Sequence, residues 1–241
     1  MLQRQKDAKP LYLQIKDIVR QKIINNEYSI GTTIPSENEL EEMFGVSRMT
    51  IRQAITELVN EGLLRKERGR GKGTIVLSNA IADRLTTIKS FTQKMQEQGF
   101  ILKNKEIAAM LVPAGESVAS VFGIDAADEV FCLTRTRMVN DDIILYSVSF
   151  VPRTLSLPTD VSLYDSLYHQ FSKQNITIGH AEEFIEATLA DEIISEKLEI
   201  PLGAAVLKRT RTSKDTSGQY IEYTETYYRS DKYKYVVELT Q

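Results

Sequence analysis

PSENELEEMFGVSRMTIRQAITELVNEGLL, residues 35–64, reads as two helices joined by a tight turn. Ser36 and Glu39 have the spacing of a capping box, in which a hydroxyl and a carboxylate satisfy the free N–H groups at a helix start. Leu40, Met43 and Phe44 supply the i, i+3, i+4 apolar positions of the first, short helix, and Gly45 can take the positive φ that ends it. Ser47 caps the second helix. Ile51, Ala54, Ile55, Leu58 and Val59 then make one apolar face before Gly62 stops it. Arg48 and Arg52, four apart, fall on the other side with Met49, Thr50 and Gln53. An exposed helix start with two arginines and small polar groups suits a DNA major groove. Arginine forks the O6/N7 pair of guanine, and the first N–H groups can meet phosphate. An ordinary helical hairpin with a solvated polar face has the same apolar spacing, so the rest of the chain decides between them.

With 241 residues the chain is long enough for two domains, each with a core. Its 42% hydrophobic and 26% charged residues are the proportions of a soluble globular protein. No run of about 18 apolar residues occurs, so no membrane-spanning helix is expected. The opening MLQRQKDAKP lacks the apolar stretch of a secretory signal. A single cysteine, Cys132, leaves no internal disulfide and fits a reducing cytoplasm. The net charge of −3 looks wrong for a nucleic-acid binder until it is divided: residues 1–77 carry +3 and residues 78–241 carry −6. Phosphate attraction is local, within a Debye length of roughly 8 Å, so the basic end can act despite the acidic one.

In chain order, residues 11–26 form a helix candidate with Tyr12, Ile15, Val19 and Ile23 on one stripe and Pro10 where a first-turn proline is tolerated. Residues 28–34 connect it to the helix pair. After Gly62 come LLRK, then ERGRGKG, then TIVL: short apolar segments around a Gly-rich turn, the pattern of a β-hairpin. Arg65, Lys66, Arg68, Arg70 and Lys72 make it basic against one acid, Glu67. A charged hairpin tip is often only solvated. This one directly follows the candidate recognition helix, which favours a wing lying on the phosphate backbone. GKGT lacks the spacing of a P-loop, so a nucleotide site is rejected.

PSE, then FGVSRMTIRQAI, EGLL and RGRGKGT in that order resemble the winged helix-turn-helix of GntR-family bacterial transcription regulators, over about residues 9–77. The resemblance implies operator contacts from Ser47, Arg48, Thr50, Arg52 and Gln53 at the recognition helix and from Arg70, Gly71 and Gly73 in the wing. Ser36, Asn38, Met49, Arg68 and Lys72 complete the expected interface. Asn38 stands where the family carries an arginine after PSE, so one base contact and the operator preference are expected to differ.

Residues 78–90 read as a polar linker, followed by a helix over 92–98 ended by Gly99. From Lys103 the pattern is strand-rich. Residues 106–112 and 129–139 are strands, and in the second Phe131, Leu133, Arg135 and Arg137 alternate with Val130, Cys132, Thr134 and Thr136. Asn140-Asp141-Asp142 is a turn into a returning strand over 143–151. A helix over 161–174, a strand over 184–189 and a short helix over 190–198 follow, and residues 205–213 and 220–228 form a second hairpin. Each hairpin is a strand with a basic pair, a polar turn and a returning strand, which hints at internal duplication. Mixed helices and hairpin-joined strands imply an α+β domain with an antiparallel sheet.

IKSFTQKMQEQG, the TRTRMVNDD hairpin, SLYDSL and IEYTETYYRSDKY resemble the UTRA effector domain of the HutC branch of the GntR family, over about residues 84–237. The resemblance implies a chorismate-lyase-like fold, a sheet enclosing a small-molecule pocket, with sugar phosphates or other small anions as effectors. It places Ser90, Phe91 and Thr92 against a phosphate at a helix start. It sets Arg135 and Arg137 to neutralise that phosphate or bind the ligand's polar groups. Ser162, Tyr164, Glu222 and Tyr228 would complete the pocket. Each also has a plain structural reading: a helix cap, an exposed strand pair, a tyrosine packed over the core. Ser147 stands where sugar-phosphate sensors of this type carry a glutamate, and it joins the expected effector contacts.

Catalysis has little support. His169 and His180 are eleven apart with no cysteine or carboxylate set at metal-ligand spacing, and no Gly-x-Ser-x-Gly occurs. No metal or cofactor is expected. The rival class is a lyase-like enzyme fused to a DNA-binding module, because fold alone does not settle function. The expectation is a ligand-responsive repressor with domains 1–77 and 91–241 and a linker of 78–90. It would dimerise through its second domain, bind double-stranded operator DNA and answer to a small anionic effector such as a phosphosugar. A two-fold dimer presents two recognition helices to a pseudo-palindromic site.

Overall fold

Ile15, Val19 and Ile23, spaced for one helical face, are fully buried on α1 (Leu11–Ile24), which starts after Pro10. They pack against α2 (Glu37–Phe44) and α3 (Arg48–Asn60) in a core with Leu40, Ile51, Ala54, Ile55 and Leu58. In the computed structural model, which describes residues 2–5, 8–67, 73–84 and 88–237, the chain forms two units. One comprises Met1–Leu85 and Lys232–Gln241, the other Thr86–Asp231.

In the first unit a buried Arg20 joins Asp17 (2.9 Å) and Glu61 (2.5 Å), tying α1 to the residue that caps the end of α3. The expected hairpin is present: β1 (Leu64–Lys66) pairs antiparallel with β2 (Thr74–Val76), and Thr33 bridges to Ile75. Met43 departs from its expected place in the core. It is 56% exposed, because Leu40 already fills the short α2 contact and Met43 instead borders a cleft with Leu2, Ile18 and Phe44.

Residues 78–90, expected as a linker, include a strand. Ile81–Arg84 is a strand, β3, paired in parallel with Tyr233–Val236 from the far end of the chain. Ile81 N–H donates to the Lys232 carbonyl (2.7 Å), and a buried Tyr233 hydroxyl donates to Asp83 (2.6 Å). The sequence hid this pairing, because a four-residue parallel strand has no turn signal beside it. The first unit thus reaches residue 85 and takes back residues 232–241, which had been expected in the second.

The second unit is a six-stranded antiparallel sheet whose strands lie in the order β4 (Leu102–Pro113), β5 (Glu129–Val139), β6 (Asp142–Pro152), β9 (Tyr220–Arg229), β8 (Ala205–Asp215) and β7 (Ile178–Leu189). It is built twice over. The first repeat holds α4 (Phe91–Glu97), β4 (Leu102–Pro113), α5 (Gly115–Phe122), β5 (Glu129–Val139) and β6 (Asp142–Pro152). The second holds α6 (Leu167–Lys173), β7 (Ile178–Leu189), α7 (Glu192–Leu198), β8 (Ala205–Asp215) and β9 (Tyr220–Arg229). α4 and α6, β4 and β7, and β5 and β8 each begin and end 76 residues apart. The left-handed residues that end the helices repeat at the same interval: Gly99 with Asn175, and Gly123 with Glu199. Tyr233–Val236 is then β10.

The repeats interlock. α5 packs on β9 and α7 on β6, so each repeat covers the other's last strand. Tyr146 stacks on Tyr227 and Phe150 packs against Tyr223, two reciprocal pairs across the central β6–β9 contact. The helix expected over 161–174 is broken into a 3-10 turn, Val161–Leu163, and α6. Asp160 and Ser166 each start their own element, the second in an extended conformation that a continuous helix cannot contain.

Candidate functional site

The start of α3 is presented by two caps. The Ser36 hydroxyl accepts from Glu39 N–H (3.3 Å) and the Glu39 carboxylate from Ser36 N–H (2.7 Å), the reciprocal box expected from the spacing. Ser47 accepts from Thr50 N–H (3.4 Å), and the two hydroxyls are 2.9 Å apart. With Ile51, Ala54, Ile55 and Leu58 buried, Asn38, Arg48, Met49, Arg52 and Gln53 are exposed. Glu37 lies 3.6 Å from Arg48 and 2.9 Å from Lys66 at the wing base. The Lys66 ammonium holds the Glu37 carboxyl below the usual carboxylate range, with Arg52 and Arg48 adding to the effect. Three cations around one carboxylate leave positive charge facing outward.

At the wing base, a Cβ on Gly73 would come 3.2 Å from Thr33 Cγ2, so the glycine has a packing reason as well as its expected contact. The expected contacts Arg68, Arg70, Gly71 and Lys72 lie outside the described residues. Sequence reasoning missed Arg4. Its guanidinium donates to the Gly45 carbonyl (2.8 Å), bracing the turn between α2 and α3, and nothing in the local pattern announces a contact across 41 residues.

In the second unit a cavity with about 440 Å³ of unfilled space, its open mouth included, lies on one face of the sheet. Seven expected residues line it: Ser90, Phe91, Thr92, Arg135, Arg137, Ser147 and Glu222. Strand alternation explains the arginines, which share a face with Phe131 and Leu133 of the adjoining core. Arg137 donates to Thr92 Oγ1 (3.0 Å) and the Asp165 carbonyl (3.1 Å) and lies over the Phe91 ring. Ser90 caps α4, accepting from Gln93 N–H (3.1 Å).

Neither Arg135 nor Arg137 has a carboxylate within ion-pair distance among the described residues. Burial pushes Arg135 down to about 10 despite the pull of Glu222. Burial, reinforced by repulsion from Arg135, also lowers Arg137. Arg135 Nε and Ser147 Oγ are buried with no hydrogen-bond partner among the described residues. Buried polar atoms are normally satisfied, so these two, both in residues that line the cavity, are exceptions. Glu222 is different: its carboxylate accepts from Ser213 (2.7 Å), Thr224 (2.8 Å) and Tyr168 (3.1 Å).

Three expected contacts do not line the cavity. Ser162 is exposed and its N–H and hydroxyl both donate to Asp160 (3.0 and 2.7 Å), closing the 3-10 turn. Tyr164 is buried against Phe131, and its hydroxyl donates to the Pro158 carbonyl (2.6 Å). Tyr228 faces the same side as the lining residues but is covered by Phe91 and Arg209, so it supports the floor. Sequence reasoning missed the contribution of β8, Arg209 and Arg211, although the matching basic pairs of the two hairpins were its signal. It also missed Ser166 and Tyr168 on the α6 side, along with Ser149, Thr224 and Thr226 on the two central strands.

Comparison with known proteins agrees with this geometry. Residues 11–76 match the family described as bacterial regulatory proteins, gntR family, and residues 97–234 match the UTRA domain. The chain is 33% identical to the HTH-type transcriptional repressor NagR of Bacillus subtilis, over 94% of this chain and 93% of that one. It is 27% identical to the mannosyl-D-glycerate transport/metabolism system repressor MngR of Escherichia coli, over 95% of each. The crystal structure of PhnF from Mycobacterium smegmatis shares the fold, with a TM-score of 0.64 at 24% identity over 96% of this chain and 99% of that one. A helix-turn-helix unit with an exposed recognition face and a UTRA unit with a basic cavity are therefore joined in one chain, which belongs to the gntR family of bacterial regulatory proteins and is a ligand-responsive, DNA-binding transcription regulator.

Proposed function

We propose that this regulator is a repressor released from its operator by a small anionic metabolite, a phosphosugar or a close chemical relative, bound in the cavity of the second unit. The observation that carries the reading is the pair Arg135 and Arg137, buried without a counter-carboxylate beside an open cavity. Buried charge without a partner is costly, so an anionic ligand supplies what the fold lacks. Hydroxyls of Ser147, Ser149, Thr224 and Thr226 suit the polar body of a sugar. The name of the relative NagR, a transcriptional repressor, supports repression, and that of MngR, a mannosyl-D-glycerate transport/metabolism system repressor, supports a sugar-related role.

The cavity binds and does not catalyse. Glu222 already accepts three hydroxyl hydrogen bonds, which leaves it poorly placed as a general base. On the DNA side Asn38, Ser47, Arg48, Met49, Thr50, Arg52 and Gln53 form the major-groove face, with Ser36 and the wing toward the backbone. The regulator acts in the cytoplasm as a homodimer. Edge strand β7, with Phe184 58% exposed, is the face assigned to the second copy. Ligand shifts the protein off DNA by binding one arrangement of the dimer more tightly than the other.

The test is a thermal-shift screen of phosphorylated sugars on the full chain, followed by operator binding with each hit. Release of operator at saturating ligand supports the reading. Turnover of the ligand would favour a lyase-like enzyme.

A further inference from the structure

The duplication brings an asymmetry into view. Arg135 on β5 and Arg211 on β8 occupy the same place in the two repeats, 76 residues apart, inside an identical Thr-Arg-Thr triplet. Both line the one cavity. Their neighbours on the outer strands are not alike. Ile107 stands opposite Arg135 on β4, and Glu183 stands opposite Arg211 on β7. Arg211 Nε donates to Glu183 (2.6 Å), its NH2 also reaches that carboxylate, and Arg209 NH1 is 3.5 Å away. The repeats therefore hold two equivalent arginine sites, one filled by a carboxylate of the protein and one left open.

The electrostatics follow the same division. Burial and repulsion from Arg209 act to lower Arg211, yet Tyr168, Glu222 and Glu183 outweigh them and raise it, whereas Arg135 is depressed. Arg211 NH1 donates to the Tyr168 hydroxyl (2.5 Å).

We infer that Glu183 determines ligand specificity by acting as a built-in anion: it occupies the second of two duplicated anion subsites and restricts the cavity to a ligand charged at one end only. This rests on the cavity being the effector site. Three strand spacings separate β5 from β8, about 14 Å on the sheet, so the two subsites are far enough apart for two anions. The ligand accepted carries its anionic group toward Arg135 and Arg137 and hydroxyl or amide groups toward β8. Compounds anionic at both ends are refused by Glu183.

Equilibrium dialysis of inorganic phosphate against the full chain tests this at constant ionic strength, with wild type, Glu183→Gln, Arg135→Ala and the double variant. Wild type should bind one phosphate per chain, Glu183→Gln two, Arg135→Ala none and the double variant one. The second site of Glu183→Gln should be at least tenfold tighter than any second site in wild type. One phosphate in both wild type and Glu183→Gln would overturn the role of Glu183 and leave the effector reading standing. None in wild type and one in Glu183→Gln would overturn the effector assignment of Arg135 while upholding Glu183 as the occupant of a second subsite. None in either overturns both. A reciprocal pair guards against a folding defect in Glu183→Gln: Ile107→Glu should abolish the wild-type site, and Ile107→Gln should keep it. Retention of phosphate by a folded Ile107→Glu protein would equally count against the inference.

Discussion

Arg135 and Ser147 stand directly opposite one another on β5 and β6, and each keeps a buried polar atom with no hydrogen-bond partner among the described residues. Leaving such atoms without a partner costs about 1–3 kcal/mol each, so the pair is a local sacrifice of stability in the cavity lining. Arg135→Met should therefore leave the second unit as stable or more so. Its melting temperature should rise by roughly 2–4 °C for each kcal/mol recovered. Ligand affinity should fall by about 1.5–3 kcal/mol, the worth of a charge-assisted hydrogen bond. Calorimetric melting and titration of the same protein decide it. A clear loss of stability would make Arg135 a structural residue.

Operator readout is tested at Arg52. The side chain is exposed on α3 and makes no contact that the core depends on. Arg52→Ala should cost roughly 1–3 kcal/mol in operator binding while circular dichroism and the melting curve stay unchanged. Undiminished affinity in the folded variant would remove this helix from the interface.

Neutralising Arg68, Arg70 and Lys72 together probes the wing. Specific and random DNA should both be bound more weakly. Each lost phosphate contact should flatten the slope of log K against log salt by about 0.9. An unaltered slope would make the basic tip a solvated hairpin.

Ser47 is tested through stability. Its hydroxyl caps the helix that carries Arg48 and Arg52. Ser47→Ala should lower the stability of the first unit by about 1 kcal/mol, read from chemical denaturation. Ser47→Gly should lose only a few tenths of that unit.

The acid limb of stability tests the Glu183 ion pair. Burial acts to raise the Glu183 carboxyl, but Arg209 and Arg211 together outweigh it and hold it below its ordinary value. A group depressed in the folded state adds stability that is present above its unfolded pKa, about 4.3 for glutamate. That stability is lost as pH falls through the lower folded value. Wild type should therefore lose melting temperature on acidification below about pH 4.3 more steeply than Glu183→Gln. Parallel curves would show that the pair adds nothing.

Local signals carried most of the first unit. Ser36 with Glu39, Gly45 and Ser47 fix caps and turn within a few residues, and the apolar face of α3 follows from its period. The second unit was legible as hairpins, and Arg135 and Arg137 were placed on one face by alternation alone. What escaped depends on distant parts of the chain. β3 needs a partner about 150 residues away. Arg211 enters the cavity through a sheet order that no single strand encodes. α5 was not anticipated either: its residues Gly115–Phe122 make barely two turns and bury only Val118 and Ala119 deeply. Tyr164 and Tyr228 are buried outside the cavity lining, since an aromatic ring with a polar tip serves a core as well as a pocket.

The parallel pairing of β3 with β10 makes the DNA-binding unit discontinuous: residues 86–231 are an insert between two of its strands. A fragment ended at residue 85 would carry β3 without its neighbour and expose an unpaired edge that invites association with other chains. A single proteolytic cut between the units would leave them covalently joined through the segment after β9. Two cuts are needed to part them, and shortening the chain at its far end damages the unit at its beginning.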